Sequence, residues 1–340
     1  MSVLSVEELD RCLSRAGRAR VTVFGDFCLD AYWMIDEGPP ELSIETGLPV
    51  RRVRAQRYSL GGAGNVAANL ADLGVAAVRA VTLVGRDLFG WEMRRLMEER
   101  RIDPAGVLDV QDDWQTLVYS KPCIGPAEQN RIDFGAFNEP GEAAMDLLAG
   151  RLDAAAGESD AVILNQQVPG GLSTPAMIER INAVIARRPA CRFIVDSRHR
   201  SRLYSGAMLK LTAHEAAGML GQAVPLDEAI SINRAGELAS QLRGQTAQCV
   251  FVTLGPEGMV VADEGGWAHL GGVRVPPPVD PVGAGDTVVS ALAAVLGGGG
   301  DARSAGRLAN LAASVTVRKL QTTGTATPAE IRAAAFPLLP

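Results

Sequence analysis

The sequence predicts an α/β protein: a mostly parallel central sheet with helices on both faces, plus a small β lid. Three observations predict this. Short apolar runs alternate with amphipathic helical stretches, the pattern of a sheet buried on both sides. Glycine and aspartate recur where those runs end, as on sheets that bind ligands beyond their carboxyl edge. Two segments, about 31–58 and about 113–136, lack helical periodicity and interrupt the alternation.

The elements follow in order. Residues 21–24 form an apolar run closed by Gly25 and Asp26, which reads as a buried strand. After Gly61 the period changes, with Ala63, Val66, Ala67, Leu70 and Ala71 at helical spacing and Gly74 at the stop. Residues 78–84 read as a second strand ending in Gly85. Asp87 then caps a helix whose inner stripe is Phe89, Met93, Leu96 and Met97. Further strands are expected at 161–164, 192–195 and 249–254, and helices at about 173–187 and 226–243. Residues 297–300 are a glycine turn between two helices, and no internal repeat is found. The whole chain, 1–340, reads as one domain. Residues 31–58 and 113–136 form a lid, with antiparallel strands suggested by the alternation in 115–123; plain surface loops are the other reading.

Composition narrows the function classes. With 47 % apolar and 21 % charged residues the chain is ordinary globular protein, not a fibre or a disordered tract. A net charge of −6 provides no basic field for nucleic acid or an anionic membrane. Arg51, Arg52, Arg54 and Arg57 make the one dense basic stretch, which reads as a solvated strand face. The five cysteines form no CxxC pair, so reduced thiols are expected, and three histidines are too few for a His-rich metal site. The first residues have acids and no apolar core of a signal peptide. No run of about 18 apolar residues occurs, so a soluble, cytoplasmic protein is expected.

The sharpest motif is Asp280-Pro-Val-Gly283-Ala284-Gly285-Asp286, leading into a small apolar helix. Glycines around an alanine let successive amides converge, and the helix adds its positive end. Such a turn suits charge developing on a phosphoryl group in transfer. Asp286 at its mouth can take a proton from an attacking alcohol, or can cap its helix. A second motif is Gly61-Gly62-Ala63-Gly64-Asn65, where glycines allow close backbone approach to a ligand. It is not the dinucleotide GxGxxG fingerprint, and no Walker A loop is present.

From residue 21 to about 327 the chain resembles the ribokinase (PfkB-type) family of carbohydrate kinases. The resemblance rests on Gly25-Asp26 with Asp30, on the segment 61–65, on Thr253-Leu254-Gly255-Pro256-Glu257-Gly258 and above all on Asp280 to Asp286. It implies a kinase that transfers the γ-phosphate of ATP to a sugar hydroxyl with magnesium. Asp286 would be the base, and the amides of Gly283, Ala284 and Gly285 the anion hole. Asp30, Gly61, Gly62 and Asn65 would hold sugar hydroxyls. Thr253, Gly255 and Gly258 would line the nucleotide site, with Asn310 near the adenine. Glu215 would order magnesium through water, or is a helix-surface acid. It belongs to an NxxE element that here reads Thr212-Ala213-His214-Glu215, with threonine in place of asparagine. A monovalent cation, potassium, is expected near Asp280.

Within the family the chain looks similar to the heptose-phosphate kinase branch, through residues 25–33, 48–50, 195–198, 309–314 and 319–328. It departs from that branch between 36 and 48 and at Asn165-Gln166-Gln167-Val168-Pro169-Gly170. No nucleotidyltransferase domain is seen, so a form with the kinase activity alone is expected. Other readings are a non-catalytic nucleotide or sugar sensor on the same fold, and a kinase for a nucleoside or fructose phosphate. A nucleoside would need an aromatic platform from Tyr32, Trp33, Tyr58, Trp114 or Tyr119. A phosphosugar would need bases such as Arg51–57, Arg131 and Arg198. A lid without a helical cover suggests a homodimer.

Overall fold

The structure, a computed structural model, describes residues 4–336 except 40, 111–113, 169–170 and 321. Pro169 and Gly170 of the divergent segment, and residues 40 and 113 of the lid segments, therefore lie outside the described residues.

The strands in chain order are β1 (Arg20–Gly25), β2 (Phe27–Ile35), β3 (Val53–Gly62), β4 (Ala77–Gly85) and β5 (Ile102–Val110). They continue with β6 (Leu117–Ile124), β7 (Ala127–Glu128), β8 (Ile132–Phe134), β9 (Ala161–Gln166) and β10 (Arg192–Ser197). The last four are β11 (Met208–Thr212), β12 (Val250–Thr253), β13 (Gly258–Asp263) and β14 (Gly266–Gly271). The helices begin with α1 (Val6–Ala16), α2 (Ala63–Leu73), α3 (Leu88–Glu99), α4 (Glu142–Glu158) and α5 (Pro175–Arg187). They end with α6 (Ala213–Met219), α7 (Ile232–Thr246), α8 (Ala284–Gly297), α9 (Ala302–Thr316) and α10 (Pro328–Ala335).

A nine-stranded sheet runs β14-β13-β12-β11-β10-β9-β1-β4-β5, parallel from β12 to β5 and antiparallel at β13 and β14. Alternate side chains along its strands enter two separate cores, as the pleat requires. Val23 and Ile163 pack under α1, α2, α8 and α9. Phe24 and Leu164 pack under α4, α5, α6 and α7. The predicted doubly covered parallel sheet is therefore the observed one.

Boundaries show what the pattern resolves. Gly74 ends α2 in the left-handed conformation at φ 79°, and Asp87 caps α3 by accepting from the Gly90 amide. The helix expected from 226 begins only at Ile232, where the Ser231 hydroxyl caps it. Strand β11 gave no sequence signal, because Lys210 breaks an apolar run of only five residues.

The lid is a five-stranded sheet in the order β3-β2-β6-β7, with β8 also on β6. It is mixed rather than antiparallel, since β2 and β6 run parallel while the other pairs are antiparallel. Its strands β2 and β3 run on past the expected 31–58, to Phe27 and Gly62. The lid is thus continuous with the glycine turn that opens α2.

Candidate active site

The site begins at the N-terminus of α8. Gly283, at φ 80°, turns the chain into the helix as a side chain would resist, and no side chain caps the first turn. The Ala284 amide is used within the turn, donating to the Pro281 carbonyl at 3.1 Å. The amides of Gly283 and Gly285 have no backbone acceptor among the described residues.

Asp286 is buried in that first turn and does not cap the helix. One carboxylate oxygen accepts from Asn65 Nδ2 at 2.7 Å and the other from Gln167 Nε2 at 2.9 Å. Burial pushes its carboxyl up to about 6, with the Asp196 carboxylate adding to the rise; the Asn65, Lys210 and Gln167 contacts oppose it. A carboxylate poised near neutral pH is suited to general-base work.

Each gripping amide is itself held. Asn65 lies in the first turn of α2, where its carbonyl oxygen and side chain accept from Asn69 Nδ2. Gln167 follows β9, and its backbone amide donates to Asp26 at 3.0 Å. Asp26 also accepts from the amides of Val168 and Leu172, so this buried carboxylate organises the turn beyond β9. Gln167 carries no motif of its own, and sequence reading does not single it out.

Below α8, three parallel strands place polar residues in one row: Asn165 on β9, Asp196 on β10 and Lys210 on β11. Asp196 pairs in register with Asn165, and Lys210 follows the register pair Val195 with Leu209. Lys210 Nζ lies 3.1 Å from Asp196 Oδ1, and the lysine side chain is only 7 % exposed. A polar break in each apolar run was the available signal.

On the opposite side stands the lid. Asp30 is buried and ion-paired to Lys121 Nζ at 2.8 Å. A Cβ at Gly61 would lie 2.9 Å from Asp30, and one at Gly62 would lie 2.4 Å from the Asp26 carbonyl. Glycine is thus required at Gly62, where the clash is with backbone and φ is 55°, while a side chain at Gly61 would press on the Asp30 carboxylate. Burial lowers the Lys121 ammonium's pKa, but the Asp30 carboxylate and Tyr32 hydroxyl hold it above its ordinary value. Arg57, Tyr32 and Lys121 are neighbours across β3, β2 and β6, and Arg131 stands beside β8. Arg57 covers the Tyr32 ring at 4.5 Å, and Arg131 covers Tyr119 at 4.2 Å. The lid face that carries Asp30 is therefore lined with cations.

Next to α8 opens a cavity of about 640 Å³. Thr253, Gly255, Gly258 and Asn310 line it, and Ala284, Gly285 and Lys210 close the end toward α8. Gly255, at φ 57°, would place a Cβ in open space, so backbone lines the cavity there. Asn310 spends its amide on the carbonyls of Leu270 and Gly271, which ties α9 to β14 at the cavity wall. Glu215 forms a capping box with Thr212, one oxygen accepting the Thr212 amide at 2.7 Å. That accounts for half of its carboxylate, and its other oxygen makes no hydrogen bond to the described residues. Asp280 lies in the turn before α8, where its carboxylate accepts the Val282 amide at 3.0 Å.

No cluster of three or more His, Cys, Asp or Glu side chains suited to a metal is present among the described residues. No helix among them is long and apolar enough to cross a membrane.

The pattern of the pfkB family carbohydrate kinases matches residues 19–330. The chain belongs to that family. Among similar proteins are the bifunctional protein HldE of Halorhodospira halophila, 35 % identical over 320 residues, and that of Caulobacter vibrioides, 32 % identical over 347. These matches cover 93 % and 96 % of this chain but 63 % and 66 % of the two HldE proteins. The chain thus spans about two thirds of the length of the relatives it matches.

Solved structures agree on the fold of this carbohydrate kinase. Phosphofructokinase-2 from Escherichia coli, in complex with potassium, superposes with a TM-score of 0.71 at 20 % identity, over 94 % of this chain and 99 % of that one. Ribokinase from Arabidopsis thaliana, complexed with ribose and ATP, gives 0.70 at 16 %, over 94 % and 99 %. The ribokinase-like fold expected from the motifs is the one found.

Proposed function

We propose that this kinase transfers the γ-phosphate of ATP to a hydroxyl of a phosphorylated sugar, with a heptose phosphate the first acceptor to test. The observation that carries the reading is Asp286: a buried carboxylate with its pKa near 6, held by two amides at the mouth of an uncapped helix. ATP would occupy the cavity past Thr253, Gly255, Gly258 and Asn310, its phosphates directed to the first turn of α8. The sugar would lie between Asp286 and the lid, against Asp30, Asn65 and the backbone of Gly61 and Gly62. Asp286 would accept the hydroxyl proton as the acceptor oxygen attacks. The amides of Gly283 and Gly285 would stabilise charge on the moving phosphoryl group.

The lid chemistry favours a phosphosugar over a nucleoside. A nucleoside needs a bare aromatic face beside Asp30, but Tyr32 and Tyr119 are covered by cations, Trp114 is buried and Tyr58 packs edge-on against Phe89; the half-buried Trp33 alternates with Asp30 and Tyr32 along β2 and so lies on the opposite face. Arg57, Lys121 and Arg131 stand on the same face instead, Lys121 paired with Asp30 and Arg131 with Asp133, each keeping N–H donors that a phosphate could take.

Magnesium would bind chiefly to phosphate oxygens and water, with the second Glu215 oxygen within an outer shell; it would neutralise phosphate charge. The residues fit that loose role and no tighter one. Potassium near Asp280 and a homodimer through the exposed lid belong to the same proposal. A lid that closes would exclude water and suppress ATP hydrolysis.

The test is ADP release over a panel of heptose, hexose and pentose phosphates, their unphosphorylated sugars and nucleosides. Turnover confined to phosphorylated sugars is expected. Turnover of nucleosides alone would overturn the acceptor class, and nucleotide binding without any turnover would make the chain a sensor.

A further inference from the structure

Lys210 has no role in the account above, yet its placement is costly. An ammonium carries three N–H donors. Lys210 is buried, and among the described residues its hydrogen bonding amounts to one contact, Asp196 Oδ1 at 3.1 Å. A buried charge with donors unfilled is expensive unless another acceptor arrives. Its direction is defined as well. Nζ lies 3.1 Å from the point a Cβ on Gly285 would occupy, so it stands at the first turn of α8 and in the wall of the cavity.

A second observation points the same way. Asn165, two strands away in the same row, is fully buried, and neither its side-chain oxygen nor its nitrogen has a partner among the described residues. Buried polar groups in native proteins are nearly always satisfied. The row beneath α8 therefore presents unfilled donors at the place where the carboxylates of Asp196 and Asp286 would otherwise repel an anion. Lys210 also counters that repulsion, since it lowers the Asp286 pKa.

We propose that Lys210 is a further catalytic residue: its ammonium holds the phosphoryl group during transfer, alongside the Gly283 and Gly285 amides. The inference rests on the phosphotransfer reading. In the step, the bond from the γ-phosphorus to the bridging oxygen of ADP breaks. The bond from the acceptor oxygen to that phosphorus forms. The acceptor proton passes to Asp286, and Lys210 keeps its own protons throughout, offering an unfilled N–H to a phosphoryl oxygen while its bond to Asp196 stays in place. A lysine acts here as a point charge, which suits a group whose oxygens move during reaction.

The test compares the full chain with Lys210→Met, using calorimetric binding of magnesium-ADP and of the magnesium complex of the β,γ-imido analogue of ATP, with ADP release alongside. Loss of one charged hydrogen bond to the γ-phosphoryl group should weaken the analogue by about 10- to 100-fold, with ADP changed less than about threefold. Turnover should fall by roughly 10²- to 10³-fold, as when an oxyanion donor is removed. Equal weakening of both nucleotides, or no change in either, overturns the proposal and leaves Lys210 as the partner of Asp196. Should Lys210→Met fail to fold, the same contrast is read between Asp196→Asn and the double variant Asp196→Asn/Lys210→Met. A wild-type chain that releases no ADP with any acceptor defeats the kinase reading, while the two binding constants still decide Lys210.

Discussion

The two walls of the cleft are built to different rules. The floor around α8 is buried: Asp286, Asn65, Asn165 and Lys210 sit at the ends of central strands and in the first turns of α2 and α8. The lid wall is a thin sheet whose outer residues, Arg57 and Arg131 among them, are exposed. Burial makes each charge on the floor strong, because little solvent screens it, and it shifts the Asp286 pKa toward neutrality. Exposure keeps the lid charges screened and adjustable. The comparison assigns chemistry to the floor and acceptor choice to the lid, so substitutions on the two walls should differ in both kind and size.

The largest effect belongs to the floor. Asp286→Asn should lower kcat by roughly 10²- to 10⁴-fold with ADP binding nearly unchanged, measured by ADP release and calorimetry. The same carboxylate sets the pH dependence. Its pKa is raised to about 6, so it is protonated, and useless as a base, below that value. The rate of the wild-type chain should therefore fall as pH drops through 6 and level off above it. A rate flat down to pH 4.5, or an Asp286→Asn variant with near-normal turnover, removes Asp286 from the chemistry and with it the contrast between walls.

Asp30 tests the seam between the walls, being buried like the floor but carried by the lid strand β2. Asp30→Ala should raise the KM for the acceptor by about 10- to 100-fold, through loss of a charged hydrogen bond to a hydroxyl. Because the change also leaves Lys121 buried without its carboxylate, Asp30→Asn is the sharper variant, and kcat should move less than KM in both. An unchanged KM would place the sugar elsewhere.

The sequence showed the floor better than the lid, for a physical reason. Backbone geometry leaves glycines: Gly62 and Gly283 each take a positive φ, so their motifs are visible in one dimension. Asp286 and Asn65 were found because they stand beside those glycines. Gln167 and Lys210 were not, because one follows β9 and the other lies on β11, and they come near Asp286 only after the sheet is assembled. One acid was legible in two ways. Glu215 satisfies the same spacing as a capping box and as a magnesium-ordering element, and only the 2.7 Å contact from the Thr212 amide shows how it is engaged. The lid's strand order was unreadable, since pairing β2 parallel to β6 joins segments about 90 residues apart.

The smallest expected effect decides what the lid is for. Arg57 is exposed and stacks over Tyr32 at 4.5 Å, so an acceptor phosphate beneath it would gain only a screened attraction. Arg57→Ala should raise the KM for a phosphorylated sugar by about twofold to fivefold, the range of an exposed ion pair. The same sugar without its phosphate should show no change, and the difference should shrink as salt is raised, because screening already weakens the contact in the wild-type chain. Equal losses for both acceptors would mean that Arg57 merely supports the Tyr32 ring. In that event acceptor choice would lie with the buried Lys121 and Asp30, and the division between walls would run along burial alone rather than along the two sheets.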